Sequence, residues 1–166
     1  MVKTLIIKSA RKILQNKLEL ENNLKIKLFI KGRNLTLSGN NEIDEYFASR
    51  VLQAFDYRFL IEDALLLKSE EYDFKIINIK SHTNRKDLGV IRGRIIGTKG
   101  KTLKVLGDLT GCEFAVKDNE VVIIGLSERI HEAEKAIISL IKGRKQGNVY
   151  ANLERINRIK RKRGDY

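Results

Sequence analysis

Charged and apolar residues alternate at the start of KIKLFI (residues 25–30) before the stretch turns fully apolar, the pattern of a half-buried strand. The polar KGRN that follows leads into LTL (35–37), which predicts a hairpin. Ile43, Tyr46, Phe47, Val51, Ala54 and Phe55 then recur at helical spacing on one face, so a helix should cover that small sheet. Upstream, residues 4–8 predict a strand and residues 11–21 one polar helical stretch; downstream, residues 59–67 predict a second helix.

The scheme then repeats. Residues 72–79 read as a strand and residues 84–95 as a basic helix, and after a glycine loop Leu103, Leu106 and Leu109 return at helical spacing until Thr110-Gly111 stops them. CEFAV (112–116) and VVII (121–124) predict strands around an Asp118-Asn119 turn, and Ile130, Ala133, Ile137, Leu140 and Ile141 form the apolar stripe of a helix. The order β-α-α-β-β-α places the chain in the α+β class. No Pro- or Gly-rich linker separates the two passes, which predicts two packed units, residues 1–69 and 70–145. Residues 146–166 are expected to be a basic tail, helical at first and frayed at its end.

Charge changes the picture from fold to partner. The 166 residues carry 33 Lys and Arg against 21 Asp and Glu, a formal net charge of +12, which favours polyanionic partners. Residues 1–70 hold twelve basic and nine acidic side chains and residues 71–166 twenty-one and twelve, so a polyanion site is expected in the second part. No apolar run reaches the length of about 18 residues that a membrane span needs, and MVKTLIIK at the start has no small-residue cleavage site, so a soluble, cytoplasmic chain is expected. Cys112 is the single cysteine, and with only His82 and His131 beside it neither a disulfide nor a Cys/His zinc cluster can form. Neither histidine has a Ser, Cys or carboxylate arranged for nucleophilic or acid-base work, so no catalytic residue, metal or cofactor is assigned.

The stretch RGRIIGTKGKT (92–102) is suited to holding phosphate. A nucleotide-binding loop of the G-x-x-x-x-G-K-[ST] kind needs a glycine five places before Gly100, and that position is Ile95; VVII also runs into Gly125 with no acidic residue for Mg²⁺. The remaining reading is a G-x-x-G clamp, Gly97, Thr98, Lys99 and Gly100, whose bare backbone lets a sugar-phosphate strand approach. The helix that follows points its free N–H groups at the phosphates, and Arg92, Arg94, Lys99, Lys101 and Lys104 crowd around it. A G-x-x-G is by itself also a plain corner between two helices; its setting, before a helix, a strand hairpin and a helix, makes the clamp the sharper reading.

With that setting the sequence resembles the KH family of single-strand RNA and DNA binders, in the eukaryotic-type order. GRIIGTKGKTLKVLGDLTG, VVIIG and GNVYANLE look like the two-KH small-ribosomal-subunit assembly factors of the partner-of-Nob-one (Dim-two) family, and AFDYRFLIEDALLL resembles the end of that family's first unit. The resemblance implies two KH-like units of type I, the first degenerate and without the glycine clamp; the first glycine here is Gly32. It also implies binding near the 3′ end of small-subunit rRNA, engagement of the maturation endonuclease, and a nucleolar or nuclear location if the source is eukaryotic. From it, Ile95, Leu103 and Phe114 are candidates for the hydrophobic groove that carries bases, though apolar residues at these spacings are more often core.

The expected function is therefore non-enzymatic binding of single-stranded RNA, with a small-subunit rRNA precursor as the RNA. A KH regulator of mRNA or other RNA is the alternative, and an NTP-binding enzyme the reading from another class. Arg155, Arg158, Arg161 and Lys162 lie on one side of the predicted tail helix and are candidates for backbone contacts. Lys12, Lys17 and Lys135 are read as solvated surface, and Cys112 as a small buried hydrophobe.

Overall fold

In the computed structural model, which describes residues 2–164, the chain forms two compact units that divide between residues 72 and 73. The first begins with β1 (Val2–Ile6), α1 (Ala10–Gln15) and α2 (Lys17–Leu24). It continues with β2 (Ile26–Lys31), β3 (Asn34–Gly39) and α3 (Glu42–Phe55), then α4 (Ile61–Leu65) and a 3-10 turn, Leu66–Lys68. Its three strands are antiparallel in the order β1-β3-β2, with Leu28 opposite Leu37 and Leu5 opposite Leu35. Ile26, Leu28, Leu35 and Leu37 fall at period two and are buried, which is why the alternating pattern was readable as a one-sided sheet. α3 covers that face with Ala48, Val51, Leu52 and Phe55. Its N-terminus is capped by Asn41, whose side chain accepts from the Asp44 N–H at 2.7 Å, and Glu42, Asp44 and Glu45 complement the helix dipole there.

Two expectations for this unit change. Residues 11–21 do not form one helix: the chain breaks at Asn16 (φ −114°, ψ 13°) into α1 and α2, so the first unit has the same β-α-α-β-β-α order as the second, with Asn16 where the second has its glycines. Lys12 is not solvated surface. Its Nζ donates to the carbonyls of Phe55, Tyr57 and Phe59, each at 2.7 Å, and lies 4.0 Å from the centre of the Phe55 ring. It closes off the end of α3, where helix carbonyls have no partner of their own. The buried Asp56 complements it by accepting from the Lys8 and Ser9 N–H groups ahead of α1.

The second unit takes up the chain just after the first residue of β4 (Tyr72–Asn78) and runs on through a 3-10 turn (Ile79–His82), α5 (Leu88–Ile96), the glycine turn, α6 (Lys101–Thr110), β5 (Glu113–Lys117), β6 (Glu120–Leu126), α7 (Ile130–Ile141) and α8 (Gln146–Arg163). The basic helix is shorter than expected, because residues 83–87 are irregular before Leu88. The sheet order is β4-β6-β5, and Ala115 stands opposite Val122 across the β5 and β6 hairpin. Ile77, Ile91, Ile95, Leu106, Val121, Ile123, Ile137 and Leu140 make the core, with α5, α6 and α7 contributing a face each.

The C-terminal segment differs most from its expectation. Residues 146–163 are a single helix within the second unit, not a tail added to it, and Asp165 and Tyr166 lie outside the described residues. Val149 and Leu153 bury the inner face of α8, and Lys160 pairs with Glu132 of α7 at 2.8 Å. Asn157 Nδ2 donates to the Leu109 carbonyl at the end of α6 at 2.8 Å, and Arg129 Nη2 donates to the same carbonyl at 2.9 Å. No described helix is long and apolar enough to cross a membrane.

Candidate nucleic-acid interface

The glycine turn is a sharp reversal that a chain of ordinary residues would resist. α5 ends where the Gly97 N–H donates to the Gly93 carbonyl at 2.8 Å. Gly97 then takes φ 76°, ψ 172°, a region open in practice only to glycine. A side chain there is also blocked by space, since a Cβ on Gly97 would collide with Thr102 Oγ1 and lie 2.7 Å from the Thr102 nitrogen. Gly100 (φ 76°, ψ 12°) needs glycine for a different reason: its backbone is left-handed, and nothing lies within 4 Å of where a Cβ would be. One glycine packs the turn inward and the other keeps its outer side bare.

Between them Thr98 and Lys99 are exposed, and Lys99 itself sits at φ 54°, ψ 30°. The Lys101 N–H donates to the Thr98 carbonyl, which closes the turn, and no side chain caps α6, whose N-cap residue is Gly100. The positive end of α6 therefore faces outward with Lys99, Lys101 and Lys104 exposed beside it. Such an arrangement can bind a phosphate oxygen through backbone N–H groups and add charge from three ammonium groups, without reading a base.

The structure separates the other predicted site residues by what they touch. Arg92 is half-buried, and its Nη1 donates to Asn119 Oδ1 and, at 3.4 Å, to the Asp118 carbonyl, so it ties α5 to the turn between β5 and β6. Arg94 points away from the turn: Nη1 donates to the Leu140 carbonyl at 3.2 Å and Nη2 to the Arg144 carbonyl at 2.8 Å. Its charge is used to close the C-terminus of α7, because that end offers carbonyls without intrahelical partners.

Ile95 is fully buried in the core and cannot line a groove, which corrects that expectation; α5 turns this face onto the sheet. Leu103 and Phe114 are only partly buried against the same core and keep surface to offer. Arg155, Arg158, Arg161 and Lys162 are exposed on α8, with Arg155 Nη2 donating to Asn152 Oδ1 at 3.0 Å. Cys112 is buried, its Sγ filling the space that a side chain on Gly125 would need, and burial pushes its thiol up from the ordinary range. No group of three or more His, Cys, Asp or Glu among the described residues is placed to hold a metal ion.

Two further residues bear on the site, Gln146 and Thr102, through a link that the glycine motif does not show. Gln146 Nε2, at the start of α8, donates to the Arg94 carbonyl at 3.0 Å and to Thr102 Oγ1 at 3.1 Å. Thr102 is buried directly under Gly97. No local signal marks this link, since Gln146 lies 44 and 52 positions from its two partners.

Residues 73–158 match the family model of the second KH domain of PNO1, described as a eukaryotic-type KH domain, KH-domain type I. The chain belongs to this family. The matched range holds the glycine turn and most of α8, so the family unit includes the helix that sequence alone suggests is a tail. A KH domain-containing protein of Methanocaldococcus jannaschii, MJ0443, is 33% identical over 118 residues, which cover 70% of this chain and 52% of that protein. The pre-rRNA-processing protein pno1 of Emericella nidulans is 30% identical over 109 residues, 63% of this chain and 42% of that protein. The chain thus spans about half the length of these relatives, or less. A chain of the crystallised a/eIF2alpha-aDim2p-rRNA complex from Pyrococcus horikoshii OT3 has the same fold, with a TM-score of 0.86 at 27% identity over 95% of this chain and 94% of that one. The α+β class and the KH-type architecture expected from the sequence are those of this family.

Proposed function

We propose that this protein binds single-stranded RNA of the small-subunit rRNA precursor and acts as a non-enzymatic ribosome biogenesis factor. The observation that carries this reading is the uncapped N-terminus of α6 behind a turn whose outer side is bare at Gly100 and flanked by Lys99, Lys101 and Lys104. Thr98, Lys99, Gly100 and Lys101 hold the phosphates, Gly97 shapes the turn, and Lys104 extends the track. Leu103 and Phe114 present apolar surface on which a base can rest. Arg155, Arg158, Arg161 and Lys162 add backbone contacts from α8, and Arg92 and Arg94 contribute by holding the framework.

The names of two relatives support the choice of RNA: one is a pre-rRNA-processing protein, and the other was crystallised with rRNA and a/eIF2alpha. The binding site is near the 3′ end of the small-subunit RNA. The first unit, with Asn16 in place of a glycine clamp, serves as the scaffold on which a protein such as the maturation endonuclease docks. The place of action is that of the precursor, the cytoplasm or, in a eukaryotic cell, the nucleolus and nucleus. Crosslinking the protein in its native cells and sequencing the attached RNA tests the reading. Reads should pile up on small-subunit rRNA precursor, whereas reads spread over mRNAs would overturn it in favour of a regulator.

A further inference from the structure

The floor of the glycine turn is laced by hydrogen bonds from a helix at the far end of the sequence. Gln146 Nε2 reaches both helices flanking the turn, through the Arg94 carbonyl on α5 and Thr102 Oγ1 on α6. Thr102 is the residue against which Gly97 is packed so closely that no Cβ fits. Arg94 returns the link, because its guanidinium holds the Leu140 carbonyl in the last turn of α7 and the Arg144 carbonyl in the connection into α8. The start of α8 is fixed by the turn, and the turn is fixed by the start of α8.

We infer that Gln146 is a positioning residue for the RNA clamp, so that the docking of α8 sets the geometry in which the turn presents its backbone to phosphate. The inference rests on the clamp reading above. Gln146 is half-buried and carries no charge, so its effect is transmitted through Thr102 and the Arg94 carbonyl and not through a phosphate contact. Gly97 and Gly100 take their positive φ without strain, but Lys99 between them is a non-glycine residue at φ 54°, a left-handed backbone that the packing around the turn has to hold. A support of this kind lowers the entropy that RNA binding must otherwise remove from the loop.

The test uses the full chain and a short fluorescein-labelled single-stranded RNA. Gln146→Met keeps the length and helix propensity of the side chain but not its donors, and Thr102→Val removes the acceptor at constant shape. Thr102→Val should weaken binding by about three- to tenfold, the range for one lost hydrogen bond, and Gln146→Met, which loses two, by at least as much. The double variant should lose little more than Gln146→Met alone, because the bond that Thr102→Val removes is one of the two that Gln146→Met already removes. The slope of log K against log salt should stay at its wild-type value, whereas Lys99→Ala makes it shallower by about 0.7. Amide exchange of residues 98–101 should accelerate in both variants.

A global loss of stability does not move the affinity of the folded protein, which is measured well below the melting transition, so the affinity separates positioning from mere folding. Wild-type affinity in Gln146→Met and Thr102→Val, with binding still lost in a Thr98→Asp, Lys99→Asp protein, overturns the positioning role and leaves the clamp standing. A slope reduced as far as in Lys99→Ala also overturns it, since a cation would then have been displaced. Wild-type binding by the Thr98→Asp, Lys99→Asp protein removes the clamp itself.

Discussion

Gln146 Nε2 lies 3.1 Å from Thr102 Oγ1, and that hydroxyl sits under Gly97, so a residue of the last helix buttresses the first glycine of the turn. The two glycines of the motif then have unequal duties. Gly97→Ala meets both a glycine-only backbone and a blocked Cβ, and should destabilise the protein by at least about 3 kcal/mol. Gly100→Ala meets open space and only the left-handed strain, for about 1 kcal/mol, yet puts a methyl where RNA backbone would approach. Denaturant unfolding alongside RNA titration checks the split: the first variant should show mainly a stability loss, the second mainly an affinity loss.

The clamp can be tested with little risk to folding, since Thr98 and Lys99 are exposed and their side chains point into no core. Replacing both by Asp should weaken RNA binding at least tenfold, about 1.4 kcal/mol or more. A folded double variant, judged by circular dichroism, that binds as well as wild type would falsify the assignment.

The exposed cations of α8 should contribute affinity without preference. Deleting the helix would confuse the issue, because Asn157 and Lys160 dock it, so charge removal in place is the cleaner change. Arg155→Gln, Arg158→Gln and Lys162→Gln together should make the salt slope shallower by about 1 to 2 units, at about 0.7 per phosphate contact on a single strand. The ranking of two RNAs of different sequence should survive. An unchanged slope would take α8 out of the interface.

In the first unit, Lys12→Met leaves the Phe55, Tyr57 and Phe59 carbonyls without their shared donor at the end of α3. It should cost about 2 to 4 kcal/mol of stability, with the spread set by how far water can replace the ammonium. Thermal unfolding followed by circular dichroism measures it, and a change within about 0.5 kcal/mol, the size usual for a surface site, would return Lys12 to the solvated surface.

Cys112 should be inert in the folded protein. Burial holds its thiol protonated and out of reach, and the thiolate is the reactive form. Iodoacetamide at neutral pH should label it only after denaturant is added; rapid labelling of the native protein would mean that the junction of α6 and β5 opens readily.

The local periods of this sequence determined much of its fold. Strand alternation in KIKLFI, the leucines of α6, the apolar stripe of α7 and the glycines around residue 100 each act over a few residues, and period and turn chemistry are local properties. The break at Asn16 carries no Gly or Pro and was therefore silent, and the basic run of residues 155–163 looked like a frayed tail because its few apolar anchors, Val149 and Leu153, precede it. What only the tertiary structure decided is which way neighbouring side chains point and what they meet. Arg94 and Ile95 are adjacent, yet one closes α7 and the other enters the core. Lys12 and Gln146 look like solvated polar residues until α3 and the glycine turn are brought beside them. Their partners lie 43 to 52 positions away in the chain, and a contact at that separation exists only once the core has fixed the helices against one another.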